Sequence, residues 1–319
     1  MKRIVMPGGS GYLGRRLAAR LVARGDEVTI LTRGAERTDG DGVRHVHWDG
    51  RTRGGWEAAL EGADAVVHLA GKRVDCRPTR ANVDGFIRSR VESVSVVGEA
   101  VRACEHPPPV WVQCATLALF GDTGDQVLTE ATVPDGLGPR QSTTVALAWE
   151  GAFNLATRGV ERPVLLRIGV VLGDGDPAHD RLRRLVRLGL GGPIAGGKRW
   201  MSWIALEDAM GVLLRAIDEP AMRGTYHLTA PEPVTNTRFM AAIRAEYGRR
   251  FGLPSPAPLT WLGAWALGSD PALALTGRRA VPRRLLQEGY TFRYPQLEEA
   301  LGLGMPEALT SDPGRRAAA

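Results

Sequence analysis

The chain has 319 residues, enough to bury a full core and to form one large or two modest domains. Lys and Arg number 41 against 35 Asp and Glu, a formal charge of +6, and the arginines are scattered over helical stretches with few aromatics between them, which argues against a nucleic-acid platform. Cys76, Cys104 and Cys114 form no CxxC pair and are odd in number, which argues against a disulfide framework. With Lys2 and Arg3 leading directly into a strand and no apolar run of spanning length, the expectation is a cytoplasmic protein without a membrane partner.

Ile4, Val5 and Met6 predict a strand, and Leu13–Leu21 a helix, with Gly8, Gly11 and Gly14 spaced by three between them. Gly8 permits a tight turn, Gly11 lets a pyrophosphate approach the backbone, and Gly14 lets helix and strand pack closely. The helix N-terminus then favours an anion through its free N–H groups, so Gly8, Gly11, Tyr12, Leu13 and Gly14 are assigned to a dinucleotide. The next strand, Glu27–Thr32, ends at Thr32-Arg33, where a carboxylate would select NAD; an arginine suits a 2′-phosphate and predicts NADP(H).

Val43–Trp48 alternates as a third strand, Trp56–Leu60 opens a helix, and residues 65–69 read as a buried parallel strand. Ala70 and Gly71 after it are small enough for ribose and nicotinamide to lie against the backbone, Leu69 before them is assigned to the cofactor as well, and His68 reads as a core histidine. Residues 72–90 form the densest basic stretch, suited to phosphates of the cofactor or of an anionic substrate; Lys72 and Asp75 lie in it, and Arg90 is assigned to the cofactor. Val91–Ala103 is helical and stops at three prolines, and Val110–Ala115 is a fifth strand, near whose end, at Thr116, a catalytic hydroxyl is expected.

With GGSGYLG at 8–14, HLAG at 68–71 and Thr116 ahead of Phe120-Gly121-Asp122, the chain resembles the extended short-chain dehydrogenase/reductases. SRV at 89–91, GDTGDQVLTE at 121–130, LRIGVVLG at 166–173, LGLGGPIAGGKRWMSWIALED at 188–208 and VPRRLLQEGYTFRYPQLEEAL at 281–301 are similar to the atypical "epimerase family" branch, nucleoside-diphosphate-sugar epimerase-like with a short C-terminal module. The resemblance implies a doubly wound α/β fold with a parallel sheet, a smaller mixed C-terminal substrate portion, and a homodimer through helices near 82–103 and 142–158. The superfamily's Tyr-x-x-x-Lys is missing: Val145 and Trp149 stand where the pair would fall. Thr116 would then orient the substrate oxygen, with Lys72, Asp75, Asp122 or a water as proton source.

Farther on, Val164–Val171 predicts a sixth strand with Arg167 paired inside it, and Arg181–Leu190 a basic helix. Residues 198–204, with Trp200 and Trp203 beside Lys198 and Arg199, suit a wall for an anionic, partly flat ligand. Glu207 and Asp208 read as first-turn capping carboxylates, followed by a strand at Gly224–Ala230 and a helix at Asn236–Tyr247. The expected organisation is an NADP-binding unit over 1–170, a substrate portion with a helical module over 171–309, and a disordered tail over 310–319, with no metal site. The function expected is NADP(H)-dependent oxidoreduction or epimerisation of a small polar molecule. A non-redox lyase, cyclase or isomerase, or a non-catalytic NADP(H) sensor, are the alternatives on the same scaffold.

Overall fold

The computed structural model describes residues 1–134 and 138–302; the tail expected over 310–319 lies outside the described residues. In chain order the first half comprises β1 (Arg3–Pro7), α1 (Tyr12–Ala23), β2 (Glu27–Thr32), β3 (Arg37–Thr38), β4 (Arg44–His47), β5 (Ala65–His68), α2 (Arg80–Ala103), β6 (Val110–Thr116), β7 (Val127–Leu128) and α3 (Arg140–Ala156). Then follow β8 (Arg162–Ile168), β9 (Val170–Leu172), α4 (Pro177–Arg187), β10 (Trp200–Met201), β11 (Trp203–Ala205), α5 (Leu206–Asp218), β12 (Gly224–Leu228), β13 (Val234–Thr235) and α6 (Asn236–Glu246). The C-terminal module holds α7 (Ala257–Ala266), α8 (Ala272–Leu275), β14 (Arg279–Ala280), α9 (Arg283–Gln287) and α10 (Leu297–Ala300).

The central sheet has eight strands in the order β3-β4-β2-β1-β5-β6-β8-β12, parallel throughout except for the β3–β4 edge pair. Buried on both faces, its strands send alternate residues into two cores. Ile4, Met6, Val67 and Val112 pack under α1 and α5, while Val5, Val66, Trp111 and Leu165 pack under α2 and α3. Strand order reverses between β1 and β5, which opens a crevice beyond their carboxyl ends. Strand β12 and helix α5, from beyond residue 170, complete the sheet and its covering layer, so the two halves of the chain are interleaved.

Four expectations need correction. The strand read over Val164–Val171 is two strands in different sheets: β8 lies in the central one and β9 pairs with β11. A Cβ at Gly169 would stand 2.6 Å from Ser202 O, so the chain steps off the sheet where backbone meets backbone. Helix α2 starts at Arg80, capped by Thr79, whose hydroxyl accepts from Asn82 N at 3.3 Å; its first turns are polar, and the apolar period that marks a helix begins only at Phe86. Trp56–Leu60 is a single 3-10 turn, Gly55–Ala59. Asp208 does not cap α5: it is buried and accepts from Arg293 N at 2.7 Å and Tyr294 N at 2.9 Å, tying the FRYP segment to the helix. Arg167 is paired as expected, with Nε and Nη2 donating to Glu150 at 2.9 and 2.8 Å inside the core.

Candidate functional site

The crevice is a backbone construction on its near side. Gly8 has φ +76°, and a Cβ there would stand 2.5 Å from Ala70 Cα, because Gly8 N donates to Leu31 O and Leu69 N donates to Pro7 O as the turn crosses the strand ends. Gly14 is filled from the other side by Gly9 O. Gly11 differs: a Cβ on it would meet nothing nearer than Gly8 O at 3.7 Å. Gly11 is also the N-cap of α1, with no side-chain cap and no acidic residue in the first turn. The amides of Tyr12, Leu13 and Gly14 therefore have no intrahelical acceptor and offer a positive rim over open space, which fits a diphosphate. The Tyr12 side chain is occupied elsewhere: its hydroxyl donates to Asp174 O at 3.2 Å, and burial, with Asp176 nearby, pushes its pKa up to about 12.

Register carries the rest of this wall. Pro7 pairs with Leu31, which sets Thr32 level with Gly8. Thr32 Oγ1 accepts from Gly34 N at 3.3 Å, turning the chain, and Arg33 projects exposed beyond the strand end; among the described residues no carboxylate or carbonyl holds its guanidinium. Arg37, four residues on, is held by Asp39 and His45 on the sheet edge. The free cation beside the glycine turn is thus Arg33, where a 2′-phosphate would arrive.

On the β5 side, Ala70 packs on Gly8 and Gly71 lies over Arg90, whose Cζ would be 3.2 Å from a Cβ at Gly71. Arg90 is buried in α2, donates to Phe86 O at 3.2 Å and sits 4.8 Å from the centroid of the Trp149 ring. Burial pushes its pKa down to about 10, and no carboxylate among the described residues bonds to it. The residue standing where the superfamily lysine would fall is therefore the floor under another cation. His68 is a core histidine as expected: fully buried against Trp111, its pKa lowered to about 4 by burial.

The four proton-transfer candidates are placed less evenly. His68 pairs with Gln113 in parallel register, and Thr116 ends β6 three residues farther on, at the carboxyl ends of the sheet. Its Oγ1 accepts from Ala118 N at 3.1 Å, which leaves the hydroxyl hydrogen free to be donated. Lys72 reaches back over α2, with Nζ donating to Asn82 Oδ1 at 2.9 Å. Asp75 is bound bidentately by Arg181 and accepts from Ser269 Oγ at 2.7 Å; the Arg181 guanidinium holds its carboxyl below the usual range. Asp122 accepts from Arg199 Nε at 3.3 Å and from Gly277 N at 3.2 Å. Asp75 and Asp122 therefore act as anchors for the C-terminal portion.

The far wall is only partly the one expected. Trp203 is fully buried, with its Nε1 donating to Glu232 O at 2.9 Å, because β11 runs into the core between α5 and α6. Trp200 remains at the surface, donating to Asp125 Oδ1 at 2.7 Å, and Arg279 stacks on it at 4.2 Å from the ring centroid. Beside them Arg278 donates to Thr276 Oγ1 at 3.2 Å; its Nε is buried with no partner among the described residues, and burial lowers its pKa to about 10. Sequence reasoning missed both arginines. Their adjacency, Arg278-Arg279 just before the VPRRLL segment, was visible, but their docking on Trp200 was not.

Comparison with known proteins places the chain in a family. The profile of the NAD dependent epimerase/dehydratase family matches residues 4–228, and a domain of unknown function matches residues 260–302. The chain is 31% identical over 306 residues to the human epimerase family protein SDR39U1, covering 94% of this chain and 98% of that protein. It is 31% identical over 303 residues to the Mycobacterium tuberculosis epimerase family protein MT2273, covering 94% and 96%. Among solved structures it resembles human SDR39U1 (isoform 2) crystallised with NADPH, with a TM-score of 0.81 at 30% identity over 94% of this chain and 97% of that one. With its reversed parallel sheet, its glycine-cradled helix end and a family match over most of its length, this chain belongs to the NAD dependent epimerase/dehydratase family.

Proposed function

We propose that the chain binds NADP(H) with its diphosphate on the first turn of α1 and its 2′-phosphate on Arg33, and that it acts as an oxidoreductase or epimerase on a small polar, anionic molecule. The observation that carries this reading is Gly11: the protein leaves the space of its missing Cβ open, over uncapped amides, one strand end from an unpaired arginine. The NADPH-bound human relative supports the choice of coenzyme.

When bound, the nicotinamide supplies a hydride donor or acceptor; everything else falls to this chain. The α1 amides and Arg33 fix the phosphates, and Gly71 with Arg90 beneath it forms the surface for the nicotinamide half. Thr116, held by Ala118 N as acceptor, donates its hydroxyl hydrogen to a substrate oxygen and so orients it. Among the described residues no lysine bonds to the Thr116 hydroxyl as the superfamily lysine would act on its tyrosine, so the proton itself comes from water or from the substrate. Arg278 and Arg279 on Trp200 suit the anionic end of that substrate.

A second reading is favoured by one specific observation. Lys72, Asp75 and Asp122 all spend their charged atoms on protein partners, which is what a protein that holds NADP(H) without catalysis would display. Incubating the purified chain with NADPH and a panel of keto acids and nucleotide sugars separates the two. Consumption of NADPH, or an epimerised product, that falls at least about tenfold in Thr116→Val with coenzyme affinity unchanged supports the first reading; tight NADPH binding with no product across the panel supports the second.

A further inference from the structure

Helix α7 is built inside out. Leu259, Trp261, Leu262 and Trp265 fall on one face at helical spacing and are between 50% and 57% exposed, whereas the half-buried positions are the small ones, Thr260, Gly263 and Ala264. Two half-exposed tryptophans and two half-exposed leucines present on the order of 400 Å² of apolar surface, about the size at which a patch on a monomer marks an interaction site. The apolar surface continues into the flanking chain, where Phe251 and Leu253 precede the helix and Leu267 follows it, all exposed. Backbone hydrogen bonds from Leu253 N to Gly189 O and from Gly192 N to Leu253 O bring exposed Leu188 and Leu190 alongside.

Along the two segments that carry this face the charge has one sign. From Tyr247 to Ser269 there is no Asp or Glu, and Arg249 and Arg250 stand exposed beside Phe251. From Arg181 to Leu206 there is again no carboxylate, and Arg184 and Arg187 are exposed next to Leu188. An isologous contact with a second copy would set this cationic rim against itself with no acidic rim to receive it. A surface of anionic headgroups over hydrocarbon complements both parts: leucines and tryptophans enter the boundary, where tryptophan is favoured, and the arginines meet phosphate. No helix among the described residues is long and apolar enough to cross a membrane, so the contact is one of lying on the surface.

We propose that α7 and its flanks dock this protein on an anionic lipid surface. The helix is tied to the mouth of the crevice. Arg77 stacks on Trp265 at 4.6 Å and donates to its carbonyl at 3.1 and 2.9 Å, and Ser269 donates to Asp75, in the same loop that leaves Gly71. Docking therefore sets the loop that follows Gly71 beside the membrane. The expectation that the chain has no membrane partner came from searching for a spanning segment; a ten-residue helix whose large residues face outward does not register in that search.

The test is co-sedimentation of the full chain with vesicles of phosphatidylcholine alone and of equal parts phosphatidylcholine and phosphatidylglycerol, followed also by tryptophan emission. The proposal expects at least about tenfold more protein on the anionic vesicles, a blue shift on binding, and release by salt. The triple variant Leu259→Ser, Trp261→Ser, Leu262→Ser should lose binding. Arg249→Gln with Arg250→Gln, which leaves the apolar face intact, should weaken it several-fold at unchanged melting temperature and unchanged NADPH affinity. Absence of anionic-vesicle binding overturns the proposal, as does equal binding to both vesicle types. So does a dimer in sedimentation velocity that the triple variant dissolves while vesicles capture nothing. NADPH affinity, measured separately, reports on the coenzyme site, so failure of one reading is distinguishable from failure of the other.

Discussion

At the α1 turn the groups that face the crevice are backbone amides and missing Cβ atoms. On the wall opposite they are guanidinium and carboxylate groups that hold one another across 77 to 106 residues of chain. The near wall is thus fixed by local geometry, with Gly8, Gly11 and Gly14 acting within one turn of chain, and its function is a matter of which positions lack a side chain. The far wall is fixed by pairing: Asp75 with Arg181 and Ser269, Asp122 with Arg199 and Gly277, Arg279 with Trp200. One wall fits a ligand common to a whole family; the other can be rebuilt by changing a few side chains, and that is where a substrate would be chosen.

The sharpest way to break this comparison is at the glycines. Gly8→Ala must place a side chain at φ +76° and against Ala70 Cα, costing more than about 2 kcal/mol of stability and abolishing measurable NADPH binding. Gly11→Ala meets only Gly8 O, at an ordinary contact distance of 3.7 Å, so its cost should stay below about 1 kcal/mol while NADPH affinity falls at least about tenfold. Thermal melts and titration of the two variants decide the matter: equal destabilisation, or a Gly11→Ala protein that binds normally, would show that the open space there is not reserved for a ligand.

A smaller effect belongs to the far wall. The Arg181 guanidinium holds the Asp75 carboxyl below its ordinary value. A carboxyl with a lower pKa in the folded than in the unfolded state stabilises the fold above the unfolded value of about 3.9, and that contribution fades as pH falls through the folded value. Asp75→Asn should therefore cost about 0.5–1 kcal/mol at neutral pH, modest because the pair is partly exposed, and less as the pH drops below about 4. Melting curves across that range check it. A variant that melts like the wild type at neutral pH would remove the clasp between the loop after Gly71 and the C-terminal portion.

What was legible in the sequence follows the same division. The strand–turn–helix, the second strand to its last residue and the buried strand at 65–68 were readable because glycine spacing and apolar runs are local signals. The buried Arg167 was rightly expected to be paired, since a charge in a core strand leaves no other choice, though its partner Glu150 was not nameable. Sequence could not show that Trp200 and Trp203, three residues apart, would part company, one at the surface under Arg279 and the other in the core. Nor could it show that Asp208, which reads as a capping residue, spends its oxygens on Arg293 and Tyr294. Those outcomes depend on which distant segment arrives beside them.

Coenzyme selection rests on Arg33. Calorimetric titration of the wild type and Arg33→Ala with NADPH and with NADH should show NADPH affinity falling about 10- to 100-fold in the variant, the loss of charge-assisted hydrogen bonds to one phosphate, with NADH affinity unchanged. Equal losses for the two coenzymes, or no loss for either, would contradict it.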